Sequence, residues 1–103
     1  MPTIDQAVEW AAQALDVAHE QGIKTPAEVY LTMADLPSGV LAESDTDTVY
    51  LSTREWPKLS ARAGREAVFH EVGHILSPTG SPHGPEWRRV MRALGYPSAG
   101  PRV

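Results

Sequence analysis

Apolar residues recur along the first twenty positions at the spacing of an amphipathic helix. The stripe that they form consists of Ile4, Val8, Ala11, Leu15 and Ala18. Thr3 and Gln6 have the spacing of a capping box, which satisfies backbone N–H groups at a helix start. Gly22 suits the C-terminal cap, because glycine adopts a left-handed backbone at little cost. The pattern therefore predicts a first helix that ends near Gln21.

The spacing changes from helical to alternating after Thr25 and Pro26. Three short segments rich in strand-forming residues follow, at 28–33, 40–42 and 48–52. Polar turn residues separate them, including the stretch 44–47. Because the connections are short, the simplest arrangement is a three-stranded antiparallel meander.

Helical spacing returns in the second half of the chain. Thr53 is suited to cap a short helical turn over 54–56, and Ser60 a long helix from about Ala61 to Leu76. Gly73 inside that helix costs roughly 1 kcal/mol relative to alanine, which indicates close backbone packing at this point. A last helix is predicted to begin at Pro85, with Trp87, Val90, Met91 and Leu94 on its core side and Gly95 at its end.

These elements predict an α+β fold: an N-terminal helix, a small antiparallel sheet and two further helices. The 103 residues are expected to form one domain, 1–103. A hydrophobic fraction of 42% is ordinary for a globular protein, and the net charge of −4 gives no general case for nucleic-acid binding. The chain has no cysteine, so disulfides and cysteine-ligated zinc are excluded.

The N-terminus shows no basic residue followed by an apolar run, which a secretory signal would require. Apolar stretches are also much shorter than the roughly 20 residues that cross a bilayer. We therefore expect a cytoplasmic protein with no membrane partner, and we expect a monomer.

The most informative stretch is His70-Glu71-Val72-Gly73-His74. Histidines four residues apart lie on one helix face, about one turn apart, so both imidazoles can bind a single metal ion. The glutamate between them is placed to accept a proton from the attacking water. This HExxH pattern predicts a zinc site with Glu71 as general base.

Two side chains beyond the helix-breaking loop are candidates for a third ligand. His83 follows the loop directly, and Glu86 lies one helical turn further along. Imidazole suits zinc well, which favours His83. Glu86 remains the alternative third ligand. In either case the fourth position stays open for water or substrate, as in catalytic zinc sites.

The segment His-Glu-Val-Gly-His-Ile-Leu, followed by Pro-His-Gly-Pro-Glu-Trp and a helix ending Ala-Leu-Gly-Tyr, resembles the SprT-like zinc metalloproteases. That family includes bacterial SprT proteins and the eukaryotic Spartan proteases, which repair DNA–protein crosslinks. The resemblance implies a zincin-like fold, His70, His74 and His83 as zinc ligands, and Glu71 as the catalytic residue. Because the chain has no cysteine, the resemblance is to a minimal version of the family that lacks its zinc ribbon.

The expected function is zinc-dependent endoproteolysis of a protein or peptide substrate. DNA-associated proteins are one candidate substrate class, although the net charge does not support DNA binding beyond a local patch at Arg88, Arg89 and Arg92. Two alternatives stay open. One is a non-catalytic, zinc-stabilised module that binds protein or DNA, and the other is an ImmA-like peptidase that cleaves a repressor.

Peptide hydrolysis also calls for a donor to the tetrahedral oxyanion. Tyr96, Tyr50 and His19 are the candidates, and the sequence does not choose between them. Trp87 is predicted to serve core packing rather than substrate binding.

Overall fold

The computed structural model describes residues 2–78 and 82–97. Three α-helices and a three-stranded mixed sheet form the fold, which confirms the predicted α+β class. In chain order the elements are α1 (Ile4–Glu20), β1 (Tyr30–Ala34), β2 (Ala42–Ser44), β3 (Thr48–Ser52), a short 3-10 helix (Trp56–Lys58), α2 (Ala61–Leu76) and α3 (Pro85–Ala93).

Helix α1 begins at the predicted capping box. Thr3 accepts a hydrogen bond from the Gln6 backbone, and the Gln6 side chain accepts one from the Thr3 backbone. The predicted apolar stripe is wrong in part, because Val8 is 52% exposed and the buried face consists of Ala7, Ala11, Ala14 and Ala18. Small side chains on that face allow the α1 backbone to lie close to α2, against which it packs.

The antiparallel meander is wrong. The strand order is β1-β3-β2, with β1 parallel to β3 and β2 antiparallel to β3. The short turn after Ser44, where the Asp45 carboxylate accepts the Thr48 N–H at 3.0 Å, makes β2 and β3 a hairpin. Strand β3 buries Val49 and Leu51 completely and takes the central position, so β1 pairs with its other edge.

Two predicted strand boundaries also differ from the structure. The first strand begins at Tyr30 instead of residue 28, and the second covers Ala42–Ser44 instead of 40–42. The predicted helical turn at 54–56 is a 3-10 helix two residues further on. The shift in β2 matters for the site, because it places Ser44 in a strand rather than in a turn.

Helix α2 has the predicted bounds, and the Ser60 hydroxyl accepts the Ala63 N–H as its cap. The close packing predicted at Gly73 is confirmed. A methyl group there would lie 2.6 Å from Met91 Sδ and 2.9 Å from Trp87 Nε1, both on α3. Helix α3 begins at Pro85 as predicted, and Gly95 follows it with a φ of 95°.

Within residues 2–78 and 82–97, none of the helices combines the length and the apolar character that crossing a membrane requires.

Candidate metal centre

Three histidines converge at the C-terminal half of α2. His70 and His74 lie one turn apart on that helix, and their Nε2 atoms are 3.2 Å from each other. The Nε2 atom of His83 lies 3.1 Å from each of them. The three nitrogens thus form a nearly equilateral triangle. Over the part of the chain that the structure describes, no carboxylate joins this group.

His83 reaches the site from the loop that connects α2 and α3; residues 79–81 of that loop lie outside the described part. Its φ is 61°, a left-handed backbone that is uncommon for residues other than glycine. The Arg88 side chain donates to the His83 carbonyl at 3.1 Å. Gly84 then caps α3 in an extended conformation, and Pro85 occupies the first helical position. These features turn the His83 ring back toward α2.

The geometry of the triangle fits a metal ion. Two nitrogens bound at 2.0–2.1 Å to one tetrahedral zinc ion lie about 3.3 Å apart, close to the separations seen here. A neutral imidazole has one donor and one acceptor nitrogen, so three Nε2 atoms facing one another cannot all pair. A cation in the triangle would satisfy all three lone pairs at once. The donor set of three imidazoles is one that zinc uses in enzymes.

The surroundings of His70 and His74 favour the neutral imidazole, which is the form that binds metals. Burial, together with the neighbouring His74 and His83, lowers the pKa of His70 to about 3. Burial and His83 also lower the pKa of His74. A proton is therefore a poor substitute for a metal ion in this triangle.

Glu71 lies beside the triangle and is only 6% exposed. The Ser44 hydroxyl, on β2, donates to Glu71 Oε1 at 2.8 Å. Burial raises the pKa of the Glu71 carboxyl, and the Ser44 hydrogen bond opposes that effect in part. No further hydrogen bond to the Glu71 side chain is found among residues 2–78 and 82–97. The second carboxylate oxygen is therefore available to a molecule in the site.

An open cavity of about 400 Å³ lies over these groups. Helix α2 contributes His70, Glu71 and His74, the loop after it contributes His83, and the whole of β2 forms one wall. The residues that line the cavity are Ala42, Glu43, Ser44, His70, Glu71, His74, Ser77, Pro78, Pro82 and His83. Among the residues that the structure describes, strand β2 pairs with β3 on one side only, and all three of its residues line this cavity.

Glu86, the alternative third ligand, is not among the side chains that converge on the triangle. It lines a separate cavity of about 310 Å³ together with Ile23, Leu76 and Arg89. Position in sequence left Glu86 and His83 as rivals, and the structure brings His83 to the triangle and Glu86 to the other cavity.

None of the three candidate oxyanion donors lines the cavity in the described part of the chain. The Tyr96 hydroxyl accepts a hydrogen bond from Arg65, and the Tyr50 hydroxyl donates to Asp45. His19 lies beside a different cavity, near the end of α1.

Sequence reasoning missed the contact between Ser44 and Glu71. A serine in a polar stretch gives no signal by itself, and the predicted strand ended two residues too early. Alternation along the correct strand puts Ser44 on the same face as Ala42, and both are less exposed than Glu43 between them. That alternation was the one signal that pointed Ser44 toward α2.

Comparisons of the chain with protein-family models, with curated proteins and with solved structures find no match.

Proposed function

We propose that the chain is a zinc-dependent endopeptidase, a minimal member of the SprT-like kind with a zincin-like arrangement of its helices and sheet. The observation that carries the proposal is the triangle of His70, His74 and His83 nitrogens beside a buried glutamate and under an open cavity. The order of elements agrees with it: a first helix, a small sheet, the HExxH helix and the helix that follows His83.

Three histidine ligands favour a catalytic over a structural role for the metal. Structural zinc sites are closed by four protein ligands, whereas catalytic sites keep one position open. In the described residues the group has three members and opens into the cavity. Zinc, when bound, supplies a Lewis acid that activates water and polarises the scissile carbonyl.

The chain's own residues supply the proton transfers. Glu71 lies next to the ligands, takes a proton from the attacking water and later delivers it to the leaving amine. Its raised pKa favours that exchange, since a base that must also act as an acid works best with a pKa near the operating pH. Ser44 holds Oε1, which leaves the other oxygen for the water.

The edge of β2 that faces away from β3 is suited to hold an extended peptide. Backbone hydrogen bonds along a strand edge bind peptides with little regard to sequence, and side-chain pockets then add preference. Because β2 also carries Ser44, a peptide on that edge lies beside Glu71 and the histidines. This placement supports endoproteolysis of extended or unfolded chains.

The test is hydrolysis of fluorescein-labelled denatured casein by the zinc-loaded wild type and by Glu71→Gln. The proposal expects hydrolysis by the wild type and a loss of about 100-fold or more in the variant, because proton transfer by one positioned group contributes that much. Zinc content of both proteins, measured by atomic absorption, is the control. Equal hydrolysis by the two proteins at equal zinc content would contradict the proposed mechanism.

One observation favours a second candidate, a zinc-stabilised module that binds protein or DNA without cleaving. Peptidases usually place a hydrogen-bond donor for the oxyanion, and none of Tyr96, Tyr50 or His19 reaches the cavity. Unfolding on zinc removal, with no hydrolysis of denatured casein by the zinc-loaded wild type, would support this candidate over the peptidase.

A further inference from the structure

All three histidine rings contact one indole, that of Trp87 on α3. The His74 ring stacks on it, with ring centres 5.4 Å apart and planes inclined by 20°. The His70 and His83 rings meet it at steeper angles, with ring centres 4.9 Å and 4.8 Å away. Trp87 itself is 1% exposed and therefore has almost no freedom to move.

The indole also has a polar contact with α2. Its Nε1–H donates to the backbone carbonyl of His70 at 3.3 Å, which fixes the ring's orientation relative to that helix. Gly73 makes this contact sterically feasible, since a methyl group there would lie 2.9 Å from the same nitrogen. The Trp87 side chain thus fixes the position of the start of α3 relative to the HExxH turn of α2.

We propose that Trp87 is a positioning residue that holds the three imidazoles in their convergent orientation before a metal ion arrives. This inference rests on the metal site of the proposed function, although it does not require peptidase activity. The three Nε2 atoms lie 3.1–3.2 Å apart, and because each either donates or accepts, at least one pair in the metal-free protein sets two lone pairs or two N–H groups against each other. The rings therefore need support to stay convergent. His83 depends on it most, because its loop places it outside any helix.

Preorganisation of this kind raises metal affinity, because less ordering is left to be done on binding. Groups that orient metal ligands typically contribute 10–100-fold to affinity. Trp87→Leu removes both the ring contacts and the hydrogen bond. Trp87→Phe keeps an aromatic ring against the histidines, although it removes the N–H donor and part of the indole surface, so it is the conservative variant.

The experiment measures zinc affinity by competition with a chromophoric chelator, for purified metal-free proteins. Trp56→Leu is the matched control, because Trp56 is equally buried and makes its ring contact with Trp10 instead of the histidines. We expect Trp87→Leu to bind zinc roughly 10–100-fold more weakly and Trp87→Phe to recover part of the loss. Trp56→Leu should stay within about twofold of the wild type.

Urea unfolding of the same metal-free proteins separates positioning from stability. If Trp87→Leu does not fold, the zinc affinity of Trp87→Phe and the absorption spectrum of its Co²⁺ complex test the inference instead. A changed spectrum supports the inference, since it reports altered ligand geometry. Zinc affinities of the Trp87 variants equal to that of the control, with wild-type Co²⁺ spectra, would overturn it. Failure of the wild type itself to bind zinc would instead overturn the proposed metal site.

Discussion

Helices α1 and α2 are alike in length and in their capping, yet they bury different chemistry. Each has a side-chain cap at its start, and the two pack against each other. The buried face of α1 consists of alanines alone, whereas α2 buries His70 and Glu71 as well as two glycines. Burying ionisable groups costs free energy unless they gain partners. Helix α1 therefore serves packing alone, whereas the second half of α2 carries the candidate metal centre.

The largest expected effect is on zinc affinity, when the histidine in the last turn of α2 is replaced and the corresponding change in α1 serves as the control. His74 belongs to the triangle, and His19 is exposed at the end of α1. His74→Ala should weaken zinc binding by more than about 100-fold, since loss of a ligand exceeds loss of an orienting group. His19→Ala should leave zinc affinity unchanged in the same chelator competition. Similar losses in the two variants would contradict the assignment of the site to α2.

On the buried face of α2 an added methyl group should destabilise the fold, whereas on the buried face of α1 the removal of one should do so. Gly73→Ala gains roughly 1 kcal/mol of helix propensity but overpacks Met91 and Trp87, which typically costs 1–3 kcal/mol. We expect net destabilisation in urea unfolding. In α1, Ala14→Gly removes a methyl group from a fully buried position and should destabilise by about 1 kcal/mol or more. A stabilised Gly73→Ala variant would show that α3 does not pack as closely on α2 as described.

Ser44→Ala tests whether the orientation of the Glu71 carboxylate on α2 depends on the hydroxyl that β2 supplies. Removal of the hydroxyl leaves a buried oxygen of Glu71 without its partner, and such a loss is worth about 1–3 kcal/mol. We expect kcat on denatured casein to fall roughly tenfold with little change in KM, because the hydroxyl orients the base instead of holding the peptide. Ser44→Thr should retain most of the rate. A fall confined to KM would assign Ser44 to substrate binding instead.

A further prediction concerns the pH dependence of stability in the metal-free protein. The pKa of His70 is about 3 in the fold against 6.5 for an ordinary histidine, so the unfolded chain takes up a proton there first. Stability should therefore fall as pH drops from about 6.5 toward 3, by at most about 1.4 kcal/mol per pH unit for this group. The lowered pKa of His74 acts with the same sign.

The raised pKa of Glu71 changes stability with pH in the opposite direction to the histidines. The variant Glu71→Gln therefore leaves the contribution of the histidines to be measured alone. The raised pKa of Glu71 stabilises the fold below 4.5, and that contribution is lost as pH rises through its range. Glu71→Gln removes this opposing part, so urea unfolding of the metal-free variant should show a steeper loss of stability on acidification. A flat profile between pH 6.5 and 3 in that variant would contradict the buried, neutral histidines.

Local patterns predicted most of the helical framework. Caps at Thr3 and Ser60 and the proline at residue 85 lie within one turn of the helix starts that they specify, so the sequence alone reveals them. The pairing of His70 with His74 follows equally from helical periodicity. These features involve few residues that are far apart in the chain, which is why they needed no knowledge of the tertiary fold.

The sheet and its contacts were not predictable in the same way. Strand order depends on which segment buries its apolar side chains best in the centre, and β3 does so only through packing against other elements. The contact of Ser44 with Glu71 joins residues 27 positions apart and follows from that order. The choice between His83 and Glu86 likewise depended on a left-handed backbone at His83, which no local pattern of histidine predicts.

The central claim is that three histidines hold a zinc ion whose fourth position is open to water or substrate. X-ray absorption at the zinc edge, on protein loaded with one equivalent of zinc, measures the ligand set directly. The account predicts three imidazole nitrogens at about 2.0–2.1 Å and one oxygen from water. Four protein ligands, or a spectrum of hydrated zinc without imidazole, would contradict it.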